Sequence, residues 1–366
     1  MFSNRLNWNL PANKLSALLR TKAHYLDLTV SNPTTAGFDY PLLELPASTV
    51  YDPQPRGLLN AREAVARYYG DVPASRILLT ASTSEAYAYI FKLLCDPGDE
   101  ILSPRPSYPL FEFLAGLESV RITQYPLRYD GVWHIDFDAL KQRITPRTKA
   151  VIVVNPNNPT GSFLKRDEWA RLESLGLPII SDEVFSDYAF TEDATQVRTL
   201  TGAQNVLTFS MSGLSKIAGL PQMKLGWIVA SGPGHEDALE TLELIADTYL
   251  SVATPVQIAL PGILEASLEV QKQIAQRARA NLAVLQAMAK GAAKPLRVEG
   301  GWYAILQVPR TKTEEDWTLQ LLAGHDVLVQ PGFYFDFEAE AFLVLSLLTP
   351  PDTFEQGLRR LLPAIG

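Results

Sequence analysis

With a single cysteine in 366 residues, an intramolecular disulfide is excluded. Cys95, in "FKLLCDPGDE", has apolar neighbours that mark it as a core residue rather than a catalytic thiol. Basic charge is also scarce. Lys and Arg number 32 against 40 Asp and Glu, with no long basic run, which argues against a nucleic-acid partner or an anionic membrane surface. No apolar stretch is long and uninterrupted enough to span a bilayer. The N-terminal stretch "MFSNRLNWNLPANK" lacks the apolar centre of a secretory signal, so the cytoplasm is the expected location. Internal repeats, low-complexity segments and an expected metal site are missing too.

What is present suits a large folded core: 47% of residues are apolar and 20% charged, and the length suggests two domains. From about residue 75 to 230, short β-branched runs alternate with helical stretches. "RILLT", "AVIVVN", "LPIISDEVF", "VLTFSMS" and "KLGWIVAS" are apolar on both faces, as in a mostly parallel sheet covered by helices on each side. Beyond residue 232, "EDALETLELIADTYL" and "SLEVQKQIAQRARANLAVLQAMAKG" have helical periodicity, and the second is long enough to cross between domains. The C-terminal segments "LRVEGGWYAILQV", "VLVQPG" and "AFLVLSLL" read as strands, closed by the helix "TFEQGLRRLL". The expected fold class is therefore α/β. A large domain over 40–255 holds the central sheet, and a smaller α+β domain is built from 1–39 and 256–366.

Three strand ends carry chemistry. "VVNPNNPTG" follows one buried strand and brings Asn158; "IISDEVF" ends another with Asp182 and Glu183; Lys216 follows "VLTFSMS" within "GLSKIAGLPQMKLGW". In open α/β sheets, ligands sit at the carboxyl ends of strands. Earlier, "ILLTASTSEAYAYI" places hydroxyl residues at a helix start, with Ser82 and Glu85 at capping-box spacing; such a turn offers N–H groups to an anion, usually phosphate. A lysine among small residues is poorly placed for a solvated surface charge, and a buried lysine loses its proton readily and then forms Schiff bases with aldehydes. An aldehyde with a phosphate tail and a basic ring nitrogen would use all of these groups. Each motif alone has a plainer reading, as a helix start, a loop, a strand-end acid or a surface lysine; their order and spacing carry the argument.

In this combination "NNPTG", "SDEVF", "LSK" and "KLGW" resemble the class I/II aminotransferase family of fold-type I pyridoxal-phosphate enzymes, and the likeness runs from "LTVSNPT" and "YDPQPRGLLNAREAVARYYG" to the last strands. The resemblance implies that Lys216 binds pyridoxal 5'-phosphate covalently and shuttles the proton, that Asp182 pairs with the pyridine nitrogen, and that Asn158 donates to the phenolic oxygen. It implies Tyr108 stacked on the ring and Thr83, Ser84 and Ser215 in a phosphate cup. Lys224 falls where the family has a phosphate-binding arginine. Tyr51 matches a tyrosine that reaches the neighbouring subunit's phosphate, so a homodimer with interfacial active sites is implied. Asn32, in "LTVSNPT", carries over as a substrate contact.

The chain also departs from the family. Ser82 stands where the cup usually has glycine. Phe185 stands where many members have a tyrosine that donates to the phenolic oxygen, and losing that donor should raise the pKa of the Schiff base. Val344, in "AFLVLSLLTPP", occupies the place of the arginine that clamps the substrate's α-carboxylate. Arg105 and Arg56 are candidates to replace it, each with a surface role as the alternative. Trp302 and Tyr303, in "EGGWYAIL", either line a side-chain pocket or pack within the small domain. The leading expectation is ping-pong transfer of an amino group from an amino acid or related amine to a 2-oxo acid. A lyase acting by decarboxylation or β-elimination, and a non-catalytic cofactor-binding regulator, stand as alternatives.

Overall fold

The computed structural model describes residues 3–8, 13–41, 44–45, 51–70 and 72–366; residues 1–2 and 9–12 of the N-terminal stretch quoted above lie outside that set. The first strand, β1 (Leu26–Asp27), pairs in parallel with a later strand, β12 (Val327–Leu328), which ties the N-terminal segment to the C-terminal part of the chain.

The main sheet holds β2 (Ile77–Thr80), β3 (Glu100–Arg105), β4 (Arg121–Tyr129), β5 (Trp133–Ile135), β6 (Thr148–Val154), β7 (Ile179–Asp182), β8 (Thr208–Gly213) and β9 (Gly226–Ser231). Their spatial order is β2-β9-β8-β7-β6-β3-β4-β5. The contiguous strands β8, β7, β6, β3 and β4 all run parallel. Every residue of β2, β7, β8 and β9 is buried, which is why their sequences are continuous apolar or small runs rather than alternating ones. β9 runs against both of its neighbours, β2 and β8, and β5 runs against β4. Neither reversal is visible in sequence, because an apolar run carries no direction.

A second sheet joins β10 (Lys294–Pro295), β11 (Tyr303–Gln307), β13 (Gln330–Pro331) and β14 (Phe342–Ser346), all antiparallel. Its core combines Ala304, Leu306, Leu343 and Leu345 with Phe354, Leu358 and Leu361 of the closing helix Pro351–Ile365.

One helix of 35 residues, Thr254–Met288, serves both cores. Val256, Leu260 and Ile263 near its start pack with Leu79 and Trp227 of the main sheet; Ala278, Leu282 and Leu285 pack with the second sheet. The helix begins about a dozen residues before the "SLEVQKQ" stretch in which its periodicity is legible. Pro255 falls in the first turn, where the missing N–H has no intrahelical partner to lose, and Pro261 is accommodated inside the helix.

Candidate active site

Four neighbouring parallel strands, β8, β7, β6 and β3, deliver their carboxyl ends to one cavity of about 220 Å³. Lys216, Asp182, Asn158 and Tyr108 come from these four ends, and Thr83 and Ser215 also line the space. The order of strands in space thus converts residues scattered over more than a hundred positions into one wall.

Two glycines allow the wall to close. Gly213 and Gly226 face each other across β8 and β9; a Cβ on Gly226 would sit 3.2 Å from the Thr83 nitrogen and 3.1 Å from the Ser82 carbonyl carbon. Their bareness lets the first turn of the helix Thr83–Leu94 rest directly on the sheet. Ser82 caps that helix, accepting from Glu85 N–H at 3.2 Å. Glu85 in turn accepts from Ala81 N–H at 2.6 Å, one residue earlier than the capping box anticipates.

Asp182 is fully enclosed. Its Oδ2 accepts from the Tyr87 hydroxyl at 3.0 Å and its Oδ1 from Val184 N–H at 3.3 Å. Burial lifts its pKa to about 6, against the opposing pull of the Tyr87 hydroxyl and the charge of Lys216. Lys216 is moved the other way: burial lowers its pKa, and the Asp182 charge only partly restores it. The Lys216 ammonium forms no hydrogen bond or salt bridge with a described residue; Nζ lies 5.1 Å from the centroid of the Trp302 ring and 5.7 Å from that of Phe185. Its backbone is fixed instead, since the Tyr188 hydroxyl donates to the Lys216 carbonyl at 2.6 Å.

Glu183, one residue on, turns away from the cavity, as alternation along an extended chain requires. Its carboxylate accepts from the Ser181 hydroxyl at 2.8 Å, the Thr199 hydroxyl at 2.6 Å and Leu200 N–H at 2.8 Å. Burial lifts it to about 7, and its work is to anchor the 199–201 segment beneath the sheet.

The "NNPTG" loop is tied down by Asn157, which donates to the Ser107 hydroxyl at 3.2 Å and accepts from that of Thr160 at 2.9 Å. This leaves the neighbouring Asn158 facing the cavity with a buried carbonyl oxygen that has no partner among the described residues. Gly161 closes the loop at φ +66°, where an added Cβ would collide with the Gly300 carbonyl oxygen. Gly161→Ala is therefore expected to lower stability by about 2–4 kcal/mol, measured by urea denaturation.

Several expected residues stand elsewhere. Arg105 donates to Glu338 and, at 3.3 Å, to Gln124, and it is not part of the cavity wall. Arg56 is held by Glu243 at 2.6 Å on a different surface. Asn32 spends its side chain on the N-cap of Pro33–Thr35, and its neighbour Ser31 lines the cavity instead. Trp302 is fully buried between Phe185 and Tyr188, while Tyr303 reaches the wall. Phe185 lines the cavity as expected of a residue at that strand end. Lys224 is exposed, with φ +50°, and Tyr51 is 68% exposed in the isolated chain; neither touches this cavity. Ser84 is half-buried in the first turn beside Thr83.

Nothing in the sequence marks Tyr87 as part of the site. Its place in a helix of apolar spacing marks it only as core, and its partner lies 95 residues away. Tyr87→Phe is expected to lift the pKa of Asp182 further in the ligand-free protein, because a donor to the charged form is lost. The same change should lower stability at pH 8 by about 1–3 kcal/mol. Denaturation midpoints followed across pH test both effects.

A buried lysine and aspartate at adjacent strand ends, beside a hydroxyl-rich helix start in a doubly wound sheet, could hold a phosphorylated aldehyde. The chain belongs to the class I and II aminotransferases: the model of that family matches residues 44–361. Members of the family work with pyridoxal phosphate. The glutamate-pyruvate aminotransferase AlaA of Escherichia coli (strain K12) is 30% identical over 257 residues, covering 65% of this chain, and the chain spans 63% of that relative's length. AlaA of Haemophilus influenzae is 26% identical over 365 residues, covering 92% of this chain and 89% of its own. Among solved structures, an aminotransferase from Escherichia coli superposes with a TM-score of 0.83 at 23% identity, covering 96% of this chain and 93% of its own. An alanine aminotransferase from Pyrococcus furiosus gives 0.82 at 24% identity, covering 96% and 94%. At these identities the structures speak for the fold. No helix among the described residues is long and apolar enough to cross a membrane, and none of their side chains form a metal-binding cluster.

Proposed function

We propose that this chain is a pyridoxal-phosphate-dependent aminotransferase, moving an amino group from an amino acid or related amine to a 2-oxo acid in two half-reactions. The observation that carries the reading is the Lys216 amine, buried, unpaired and beside Asp182 in a cavity that Asn158 and Tyr108 also line. A lysine with no structural partner and a buried carboxylate with no salt bridge are both unfavourable in isolation, and a cationic ring with an aldehyde relieves each of them.

When bound, pyridoxal phosphate supplies a conjugated ring that accepts the electron pair released at the substrate carbon. Lys216 Nζ would hold the aldehyde and, once displaced by the incoming amine, take up and return the proton at the substrate carbon, a role that burial favours by lowering its pKa. The Asp182 carboxylate, steadied by Tyr87, keeps the ring nitrogen protonated. Asn158, through its amide N–H, would hold the phenolic oxygen and Tyr108 the ring, both from the cavity wall. Thr83, Ser84, Ser215 and the free N–H groups at the start of the helix Thr83–Leu94 receive the phosphate. Lys224 stands at the place of the family's phosphate-binding arginine but outside the cavity wall of the single chain, and the exposed Tyr51 reaches the second site of a homodimer. The chain divides into a large cofactor-binding domain, 40–255, and a small domain built from 1–39 and 256–366.

Borohydride reduction followed by peptide mass spectrometry is expected to find the cofactor on Lys216. An adduct on another lysine, or none, refutes the assignment. A pool of amino acids and amines should then convert the yellow protein to its pyridoxamine form.

A further inference from the structure

The cavity around Lys216 is short of positive charge. Among the described residues that line it, Lys216 is the single cation and Asp182 the single anion; hydroxyl, amide and apolar groups make up the rest. Every lysine and arginine of the chain lies among the described residues, so the whereabouts of the others can be stated. Val344, on β14, is fully buried and paired with Ile305 and Gln330. Arg105 is bound to Glu338 outside the wall. Arg277 donates to the backbone carbonyls of Ala36, Gly37 and Leu348, with its guanidinium 4.2 Å from the centroid of the Phe38 ring. Lys224 is exposed and away from the lining. A carboxylate on the carbon that reacts would be taken out of water with no further cation of its own chain lining the cavity to meet it, because Lys216 is occupied with the amino group's chemistry. Burial of an unpaired carboxylate is strongly disfavoured.

We propose that the preferred amino donor is a neutral primary amine, whose amine-bearing carbon carries hydrogen, alkyl, hydroxymethyl or aryl groups and no carboxylate. The proposal rests on the aminotransfer reading and narrows its substrate class. The wall suits such a compound. Ser31 and Tyr303 bring hydroxyls that donate to or accept from an alcohol, and Val154, Val184 and Phe185 face an alkyl or aryl group. The donor's C–N bond breaks, its carbon is oxidised to an aldehyde or ketone whose oxygen comes from water, and the acceptor's carbonyl is reduced to an amine with return of that water. A 2-oxo acid acceptor enters the same cavity, so its KM should exceed that of a neutral aldehyde.

The test uses the holoenzyme and matched pairs in which only the carboxylate is exchanged for hydroxymethyl: alanine with 2-aminopropan-1-ol, and phenylalanine with 2-amino-3-phenylpropan-1-ol. The rate of conversion to the pyridoxamine form is followed by absorbance. Each amino alcohol is expected to show a kcat/KM on the order of 100-fold above its amino acid. Calorimetric titration with benzyl alcohol and benzoate provides a readout independent of turnover, with the alcohol expected to bind at least about tenfold more tightly. Amino acids reacting as fast or faster, or benzoate binding more tightly, overturns the proposal. If neither member of any pair reacts while the cofactor is trapped on Lys216, the aminotransfer reading falls instead, and the calorimetric comparison still decides the cavity's charge preference.

Discussion

Lys216→Ala is expected to lose the borohydride-trapped adduct and to slow amino-group transfer by on the order of 10⁴-fold, the upper range for removing a positioned proton-transfer group. No neighbour can take over. Within the cavity, the other groups that could accept a proton are Asp182, which is committed to the ring nitrogen in the proposed complex, and the phenols of Tyr108 and Tyr303, each pushed by burial to about 12. Added alkylamines should restore part of the rate, because the space vacated by the side chain is inside an existing cavity. The rate should then follow amine concentration and basicity. Turnover by Lys216→Ala within tenfold of the parent would show that another base does the work.

The second large effect concerns Asp182→Asn, which should act in opposite directions on stability and on function. In the ligand-free protein the carboxyl has a pKa of about 6, above its ordinary value of 3.8. Across that interval the folded chain binds more protons than the unfolded one, so stability falls as pH rises from about 4 to about 6. At pH 8 the full penalty of about 3 kcal/mol is present, and asparagine removes it while still accepting from Tyr87. Ligand-free Asp182→Asn is thus expected to be more stable than the parent at pH 8, by up to about 3 kcal/mol, with the difference fading below pH 4. Cofactor affinity and rate should both fall sharply, because the charge facing the ring nitrogen is gone. Denaturation at the two pH values, alongside a binding titration with pyridoxal phosphate, checks the pair of effects. A variant less stable than the parent at pH 8 would mean that the carboxylate is structurally satisfied without any ligand.

The residues that reached the cavity as expected are those fixed by local sequence: each follows an apolar strand and precedes a turn or helix signal, so strand end and position come together. Asp182, Asn158 and Lys216 were legible for that reason. What failed depended on contacts between distant segments. Arg105 looked free because Glu338, its partner, is 233 residues away. Trp302 and Tyr303 are adjacent, and only the register of β11 against β14 decides which of two neighbours faces the cavity. Asn32 read as a substrate contact, yet its side chain was claimed by the turn that follows it. The hairpin of β4 and β5 around Asp130–Gly131 passed unnoticed inside a polar stretch.

The helix Thr254–Met288 makes the two halves of the molecule mechanically dependent. At about 1.5 Å of rise per residue it is a rod of roughly 50 Å, gripped at one end by the main sheet and at the other by the sheet that carries Tyr303. Because this one helix contributes to both cores, a substitution that loosens its packing against Trp227 is expected to destabilise the sheet that carries Tyr303 as well, so the two cores should unfold together.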